Sequence, residues 1–385
     1  MELKQSSGVN YEALDPVKRF ARELFEPTLK YPERLGITIR RIPGATATVF
    51  SAAKIQDNDF DFAQNIEGLG TKNKIADSMY QEWVEKKRIV DAMEIKRLYR
   101  NLGQCTIAMS ELDVLSMGAD MFLYLDIISA GNSQWFSSDF ERVRELLMGY
   151  RIRADQVGFA IPQGETPELK GIVYPETLDL AGTATGLIRP RSRLIDGSKV
   201  RRGDIIFGLS SSGIHSNGLT KAREIAEKLP EGFFTHLKNG KTFGEELLTP
   251  TESYTRPVIE MFKQGVDVHY LQPITGHGWE KIARAPNEFT YKINNVPSVS
   301  GTIFGDLIRL GKEIGEDMSP EKNYYRWNMG VGYIVIAPGE YGCKITGIAA
   351  KHGIKTFNLG YVDGGPRQVV MPFENKEGKQ VIYTP

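Results

Sequence analysis

Between Ile205 and Leu229 the chain runs from a short apolar stretch through SSSGIHSNG into apolar residues at helical spacing. That order predicts a strand, a tight loop and a helix. Small residues in Ser210–Gly218 let backbone approach a ligand, and the hydroxyls and amides add donors. The N-terminus of the following helix favours negative charge. Leu219, Ala222, Ile225, Ala226 and Leu229 form that helix's core face. An ordinary turn uses the same small residues, so Ser/Gly richness alone serves either role. His215 and Asn217, set among the donors, favour an anion site, and the expected class is a phosphate-handling enzyme.

The 385 residues are 41% hydrophobic and 25% charged, enough for two domains of ordinary globular composition. Lys plus Arg and Asp plus Glu both number 48. No net field therefore steers the chain to nucleic acid or to an anionic membrane. The basic cluster Arg189, Arg191, Arg193, Lys199, Arg201 and Arg202 reads as a solvated connector. Cys105 and Cys343 stand in unrelated contexts and predict neither a disulfide framework nor a zinc knuckle. No apolar leader opens the sequence, and no run of about 18 apolar residues occurs. The expected location is cytoplasmic, with no membrane partner.

The pattern predicts a helix capped at Asp15 with Pro16 at its first position. It predicts one long amphipathic helix over 78–102, a second helical stretch at TIAMSELDVLSMG, and a buried strand at MFLYLDIIS. Ser138 with Glu141 reads as a capping box. Strands follow at VGFAI and LAGTATGLI. The alternation argues for packed α/β layers. Composition changes near Arg189, which predicts domains over 1–187 and 188–385. The second holds a strand at Asp204–Leu209, helices at 219–229 and 252–263, glycine loops at 275–278 and 330–332, and a strand at YIVIAP. The last dozen residues read either as a terminal strand or as poorly ordered.

Further motifs offer chemistry. Glu67-Gly68-Leu69-Gly70-Thr71-Lys72 joins flexible backbone, a hydroxyl and a cation in the manner of a polyphosphate loop, and Glu67 could hold a divalent metal. Its glycine spacing and the Thr71-Lys72 order differ from a Walker A loop. Asp113 lies beside a core face and needs exposure, a partner or a cation. Asp126, inside an apolar strand, has little access to water. Gly164-Glu165-Thr166-Pro167-Glu168, with Asp179 and Gly182, suits substrate hydroxyls or amines and equally an ordinary surface loop. Thr275–Gly278, with Gly276 and His277, and Asn328–Gly332 are compact glycine turns.

In this order the motifs resemble the aminoimidazole ribonucleotide synthetase family, also called phosphoribosylformylglycinamidine cyclo-ligase. GVNYEALD looks like that family's GVD segment. EGLGTK is similar to DGVGTK, LDVLSMGAD to NDLVVQGAEP, and LDIISAG to LDYYATG. GETPE is similar to GGETAE, LDLAGT to the DVAGF segment, and SSSGIHSNGL to SSGPHSNGY. LLTPTESY, VHYLQPITGHGWEKIAR and NMGVG complete a series that spans about residues 8 to 335.

The resemblance implies an α/β (α+β) fold of two domains. The N-terminal sheets pair across a homodimer into a barrel, and the C-terminal domain is a mixed sheet with helices. It implies ATP and Mg2+, with a small ribonucleotide as substrate, and ring closure by phosphorylation of a formyl amide oxygen. By position, Gly68, Gly70, Thr71, Lys72, Asp113 and Asp126 bind ATP, and Glu67 and Asp113 bind metal. Glu165, Thr166, Ser212, Gly213, His215, Ser216, Asn217, Gly276 and Asn328 bind substrate. His215, Asn217 and Lys72 carry catalysis. In this expectation the Ser210–Gly218 turn closes over the reacting ribonucleotide while the first domain holds the ATP-metal end. Departures from the family pattern are Glu67 for Asp, Leu112 for the Asn before Asp113, Pro273 for His and His277 for Gly. His277 is expected to return an imidazole to the space Pro273 vacates. The alternatives are a sister phosphotransferase of the superfamily, whose selenophosphate branch carries a reactive N-terminal Cys absent before Cys105, and a non-catalytic paralogue.

Overall fold

In the computed structural model, residues 11–40, 48–86 and 91–385 are described. The chain forms two compact units, Met1–Val114 with Asp120–Arg191 and Leu115–Ala119 with Ser192–Pro385. Among the described residues no helix is long and apolar enough to cross a membrane.

In the first unit, helix α1 (Tyr11–Phe25) and a 3-10 stretch (Glu26–Leu35) lead to a small antiparallel pair, β1 (Thr38–Arg40) and β2 (Val49–Ser51). The main sheet contains β3 (Asp61–Gly68), β4 (Asp120–Ala130), β5 (Gly164–Glu165) and β6 (Leu178–Ile188) in the order β3-β6-β4-β5. Helices α2 (Lys72–Lys86), α3 (Ala92–Ser116), α4 (Gln134–Ser138) and α5 (Phe140–Val157) complete the unit. The apolar run at 121–129 lies in β4, where Met121, Phe122, Leu123 and Tyr124 are all buried, so both faces are covered at that end. On one face of the sheet Phe62, Ile66 and Ile127 stay exposed, Ile66 at 67%.

Helices α3 and α5 meet at glycine. A Cβ on Gly103 would strike the Leu146 carbonyl, and one on Gly149 would strike the Arg100 carbonyl. Between the same helices Glu111 and Arg153 form a fully buried ion pair at 3.5 Å. Ser110 Oγ then donates to the Gly182 carbonyl at 3.1 Å, which anchors α3 on β6.

The second unit is built on seven strands: β7 (Ile205–Ser210), β8 (Tyr270–Pro273), β9 (Phe289–Ile293), β10 (Val331–Ala337), β11 (Thr356–Gly364), β12 (Gln368–Glu374) and β13 (Gln380–Tyr383). Their order is β13-β12-β9-β11-β7-β10-β8. Every residue of β10 is buried, because β7 and β8 flank it. Around the sheet lie α6 (Leu219–Glu227), α7 (Phe243–Leu247), α8 (Thr255–Lys263), α9 (Ile303–Glu313), α10 (Pro320–Arg326) and α11 (Gly342–Lys351).

The layered helix-and-sheet class is as expected, but pairing is antiparallel except at β4–β5 and β9–β12. Helix–strand alternation along a chain does not by itself fix strand direction. Other local expectations also change. Pro16 sits inside α1, so Asp15 does not begin that helix. The predicted helix over 78–102 is divided: α2 ends at Lys86 and α3 begins at Ala92, with 87–90 outside the described residues. α3 then absorbs TIAMSELDVLS. Ser138 closes α4 and accepts from Arg142 at 3.3 Å, while Asp139 is the N-cap of α5 and makes no side-chain cap bond. VGFAI contributes only a single bridge, Ala160 with Leu123, since α5 runs to Val157. TATVF is described only from Thr48, and its end enters β2. The C-terminal dozen includes strand β13.

Gly149→Ala tests the α3–α5 contact. The added methyl has only backbone to meet, the Arg100 carbonyl and the Gly103 Cα, so a loss of about 2–3 kcal/mol is expected, read as a lower urea midpoint at unchanged slope. A loss below about 0.5 kcal/mol would mean the helices are free to separate.

Candidate active site

The first unit arranges its carboxylates about Gly182. Glu67 on β3 and Asp126 on β4 are both register partners of Gly182 on β6. The three residues therefore lie in one row and share a face, with Glu67 and Asp126 two strand spacings apart, about 10 Å. A Cβ on Gly182 would strike the Tyr124 hydroxyl and the Leu125 carbonyl. Above the row, Asp113 at the end of α3 accepts from Asn65 Nδ2 at 3.3 Å. Asn65 Oδ1 is buried with no donor from the chain.

Asp126 is buried, and burial pushes its carboxyl up to about 7, with the nearby Glu165 charge adding to the rise. Its carboxylate lies against Gly164, where any Cβ would strike it. Glu165 is exposed, accepts from its neighbour Thr166 N at 2.9 Å, and stands 3.9 Å from Lys18. Thr166 is buried. Asp179, across β6 from Ser129, is exposed.

The Glu67–Lys72 loop leaves β3 and enters α2. Leu69 N donates to the Leu180 carbonyl at 2.8 Å, and Gly70 takes a φ of 72°. Lys72 is fully buried, with Nζ 3.1 Å from Cys105 Sγ. Burial lowers its pKa. The expected phosphate clamp therefore points into the unit toward a thiol. Cys105 was not singled out by the sequence, because nothing in its spacing marks it.

In the second unit three glycine turns converge. Asn328 accepts from Ser211 Oγ at 3.0 Å and from Gly330 N at 2.9 Å, and it donates to the Gly213 carbonyl at 2.9 Å. Its amide is thus spent on holding the Ser210–Gly218 loop against the Asn328–Gly332 turn. Ser212 Oγ donates to the Pro250 carbonyl at 2.6 Å, and Ser216 Oγ lies 3.4 Å from Thr251 Oγ1. His215 is buried at a left-handed φ of 60°. A Cβ on Gly332 would strike its ring and the Tyr254 hydroxyl. Tyr254 stacks on Tyr333 at 5.1 Å and donates to the Ser210 carbonyl at 2.8 Å. Gly218 has a φ of 71° and leaves room for the Trp327 indole, whose Nε1 donates to the Gly218 carbonyl at 3.1 Å. Asn217 Nδ2 is buried with no acceptor from the chain, and Gly276 lies beside Asn217 Oδ1.

His277 occupies a left-handed φ of 67°, which explains why glycine suits that position. Its ring is half-exposed and pairs through Nδ1 with the Tyr325 hydroxyl at 3.1 Å. Pro273 is buried in β8 opposite Tyr333.

The geometry thus gathers Glu67, Asp113 and Asp126 in one unit, and Ser212, Gly213, His215, Ser216, Asn217, Gly276 and Asn328 in the other. Sequence reasoning gave no role to Asn65, Trp327 or Tyr254, the last being only the final residue of the LLTPTESY motif. Their roles lie in long-range contacts. Among the described residues no three His, Cys, Asp or Glu side chains cluster closely enough to hold a metal unaided. Magnesium, however, needs only one or two carboxylates besides phosphate and water oxygens. Asp113 beside the buried Asn65 Oδ1 offers oxygen donors of the kind it takes.

The family model described as "AIR synthase related protein, N-terminal domain" matches residues 83–188, and that of the C-terminal domain matches 201–372. The phosphoribosylformylglycinamidine cyclo-ligase of Rippkaea orientalis is 33% identical over 315 residues, covering 79% of this chain and 82% of that protein. That of Carboxydothermus hydrogenoformans is 29% identical over 371 residues, covering 95% and 98%. Among solved structures, hydrogenase maturation protein HypE in complex with ATP superposes with a TM-score of 0.58 at 16% identity, covering 89% of this chain and 88% of that one. Thiamine-monophosphate kinase from Stenotrophomonas maltophilia gives 0.57 at 14% identity, covering 89% and 92%. These two likenesses concern the fold alone.

Asp126 makes stability depend on pH. Its folded pKa, about 7, lies above the usual 3.8, so the folded state holds the proton more tightly than the unfolded state. The contribution of this group is full below pH 4, falls as pH rises through that window, and above pH 7 about 4 kcal/mol of it is gone. Asp126→Asn removes the ionisation. With divalent cations chelated, the variant should show a higher urea midpoint than the parent at pH 8 and a near-equal one at pH 4. An equal loss at both pH values would refute this account of Asp126.

Proposed function

The chain belongs to the AIR synthase related protein family in both of its halves, and we propose that it is an ATP-dependent cyclo-ligase of purine biosynthesis that closes formylglycinamidine ribonucleotide to aminoimidazole ribonucleotide. The observation that carries this reading is that relatives bearing the cyclo-ligase name match this chain over as much as 95% of its length. The enclosed Ser210–Gly218 loop and the carboxylate row about Gly182 supply the kinds of group the chemistry needs.

An amide oxygen leaves poorly until it is phosphorylated. The formyl oxygen attacks the γ-phosphorus of ATP, the O–P bond forms, and ADP departs with the electrons of the broken bond. The amidine nitrogen then attacks the formyl carbon, the C–O bond breaks, phosphate leaves, and the nitrogen loses its proton. Transfer of this kind rests on positioning and charge stabilisation more than on covalent help.

Residues 1–187 are assigned the ATP, metal and dimer roles, and 188–385 complete the active site. Backbone N–H groups of Gly68, Gly70 and Thr71, at the α2 N-terminus, face the polyphosphate. Lys72 reaches it by turning from Cys105. Glu67 and Asp113, with Asn65 Oδ1, would hold Mg2+, which neutralises phosphate charge when bound, and Asp126 is assigned to the ATP side. His215, Ser216 and Asn217 line the ring-closing site and exclude water from the reactive imidate. Glu165, Thr166 and Gly276 belong to the substrate side, while Ser212, Gly213 and Asn328 act by fixing the loop. A reaction that draws on ATP and a ribonucleotide suits the cytoplasm.

The protein is proposed to work as a homodimer. The exposed sheet face with Phe62, Ile66 and Ile127 is the surface assigned to the second copy. Ile66→Asp should shift the protein from dimer to monomer in size-exclusion chromatography with light scattering. A parent that is monomeric at micromolar concentration removes this part of the proposal.

The activity test supplies purified protein with MgATP and formylglycinamidine ribonucleotide. ADP release should match imidazole formation one to one, and the gene should rescue a purine auxotroph lacking this step. His215→Ala should lower kcat about 100-fold, and Asp113→Asn should raise the Mg2+ requirement. No substrate-dependent ADP release at saturating Mg2+ would favour a non-catalytic paralogue.

A further inference from the structure

Behind the Gly68–Lys72 loop lies a polar cluster that the proposed chemistry does not use. α2 buries Lys72, Asn73, Ile75, Ala76, Asp77 and Met79, so half of the buried side chains in its first turns are polar. Asn73 Nδ2 donates to Thr177 Oγ1 at 2.9 Å and also to the Leu178 carbonyl. Thr177 Oγ1 in turn donates to Asp77 Oδ2 at 2.6 Å. Asp77 Oδ1 accepts from Tyr99 Oη at 2.8 Å and from Trp135 Nε1 at 3.4 Å. The Arg142 guanidinium lies 4.0 Å from the Trp135 ring, donates to the Trp135 carbonyl at 2.7 Å, and closes the far side.

Four elements therefore meet at one carboxylate: α2, α3, α4 and the entry to β6. Apolar contacts let a helix slide or roll by small amounts, whereas hydrogen bonds fix both its rotation and its height. Thr177 is the centre, because its hydroxyl accepts from one α2 side chain and donates to another one turn on. The same helix begins at the Gly70–Lys72 turn. Its rotation decides where the backbone N–H groups of that turn point.

We propose that Asn73, Asp77 and Thr177 are positioning residues for ATP, a clasp that aims the α2 N-terminus and the Gly70–Lys72 turn at the polyphosphate. The inference rests on the cyclo-ligase reading for its turnover readout but not for its binding readout.

The test uses the full chain. Thr177→Val keeps the shape and removes both hydroxyl bonds, and Thr177→Ser restores them. Nucleotide affinity is measured by calorimetry with MgATP, alongside KM and kcat. Thr177→Val should weaken ATP affinity and raise the KM for ATP about tenfold, with kcat and the KM for the ribonucleotide within about threefold of the parent. Thr177→Ser should return ATP affinity to near the parent value. Should Thr177→Val fail to fold, Asn73→Ala, which leaves the Thr177–Asp77 bond intact, is expected to give the same split at about half the size on a logarithmic scale. Unchanged ATP affinity in a folded variant, with only thermal stability lowered, overturns the clasp. If the parent binds ATP but makes no imidazole, the cyclo-ligase reading fails while the calorimetric comparison still judges the clasp.

Discussion

Gly182 has no side chain, and the arrangement of the first unit follows from that. With a methyl there, β6 could not lie between β3 and β4 without displacing the Tyr124 hydroxyl or the Leu125 backbone. Without one, Ser110 reaches the Gly182 carbonyl, α3 settles onto the sheet, and Asp113 comes to Asn65. Glu67 and Asp126 then flank the gap from either side. A buried carboxylate in such a row is costly unless something positive comes to it. Burial holds the Asp126 carboxyl well above the usual carboxylate range for the same reason.

The second unit solves a related problem with larger parts. Its loop must stay open in shape yet hold one conformation. Asn328 uses its whole amide to bind three backbone or hydroxyl groups. Tyr254 and Trp327 fill the space that Gly332 and Gly218 leave vacant. Rigid aromatic bodies against bare backbone leave His215 little room to turn, which suits a group that must be aimed. The left-handed backbone at His215 is strain held in place by this packing.

Much of this was legible in the sequence, for definable reasons. Period and apolar runs revealed β4, β6, β7 and β10, because buried strands need continuous apolar residues. The glycine turns announced themselves by composition. What stayed hidden was partnership at long range. Nothing near Lys72 points to Cys105, 33 residues on, and nothing near Asp113 points to Asn65, 48 residues back. Helix ends also misled. Asp15-Pro16 and Ser138 with Glu141 have the right letters for caps, but tertiary packing carried α1 past the first and made the second the end of α4. The place of His277 was readable only as a departure. Its bond to Tyr325 required the fold.

The buried pair of Glu111 and Arg153 has a consequence of another kind. Removing one partner breaks a fully buried ion pair, a loss of about 3–5 kcal/mol, whereas an apolar pair of like volume could serve as well. A single substitution at either position would therefore be costlier than a paired exchange, and the pair holds the seat of the helix that carries Asp113. Within this family, that link would tie the history of α5, which bears no proposed site residue, to the history of the metal end.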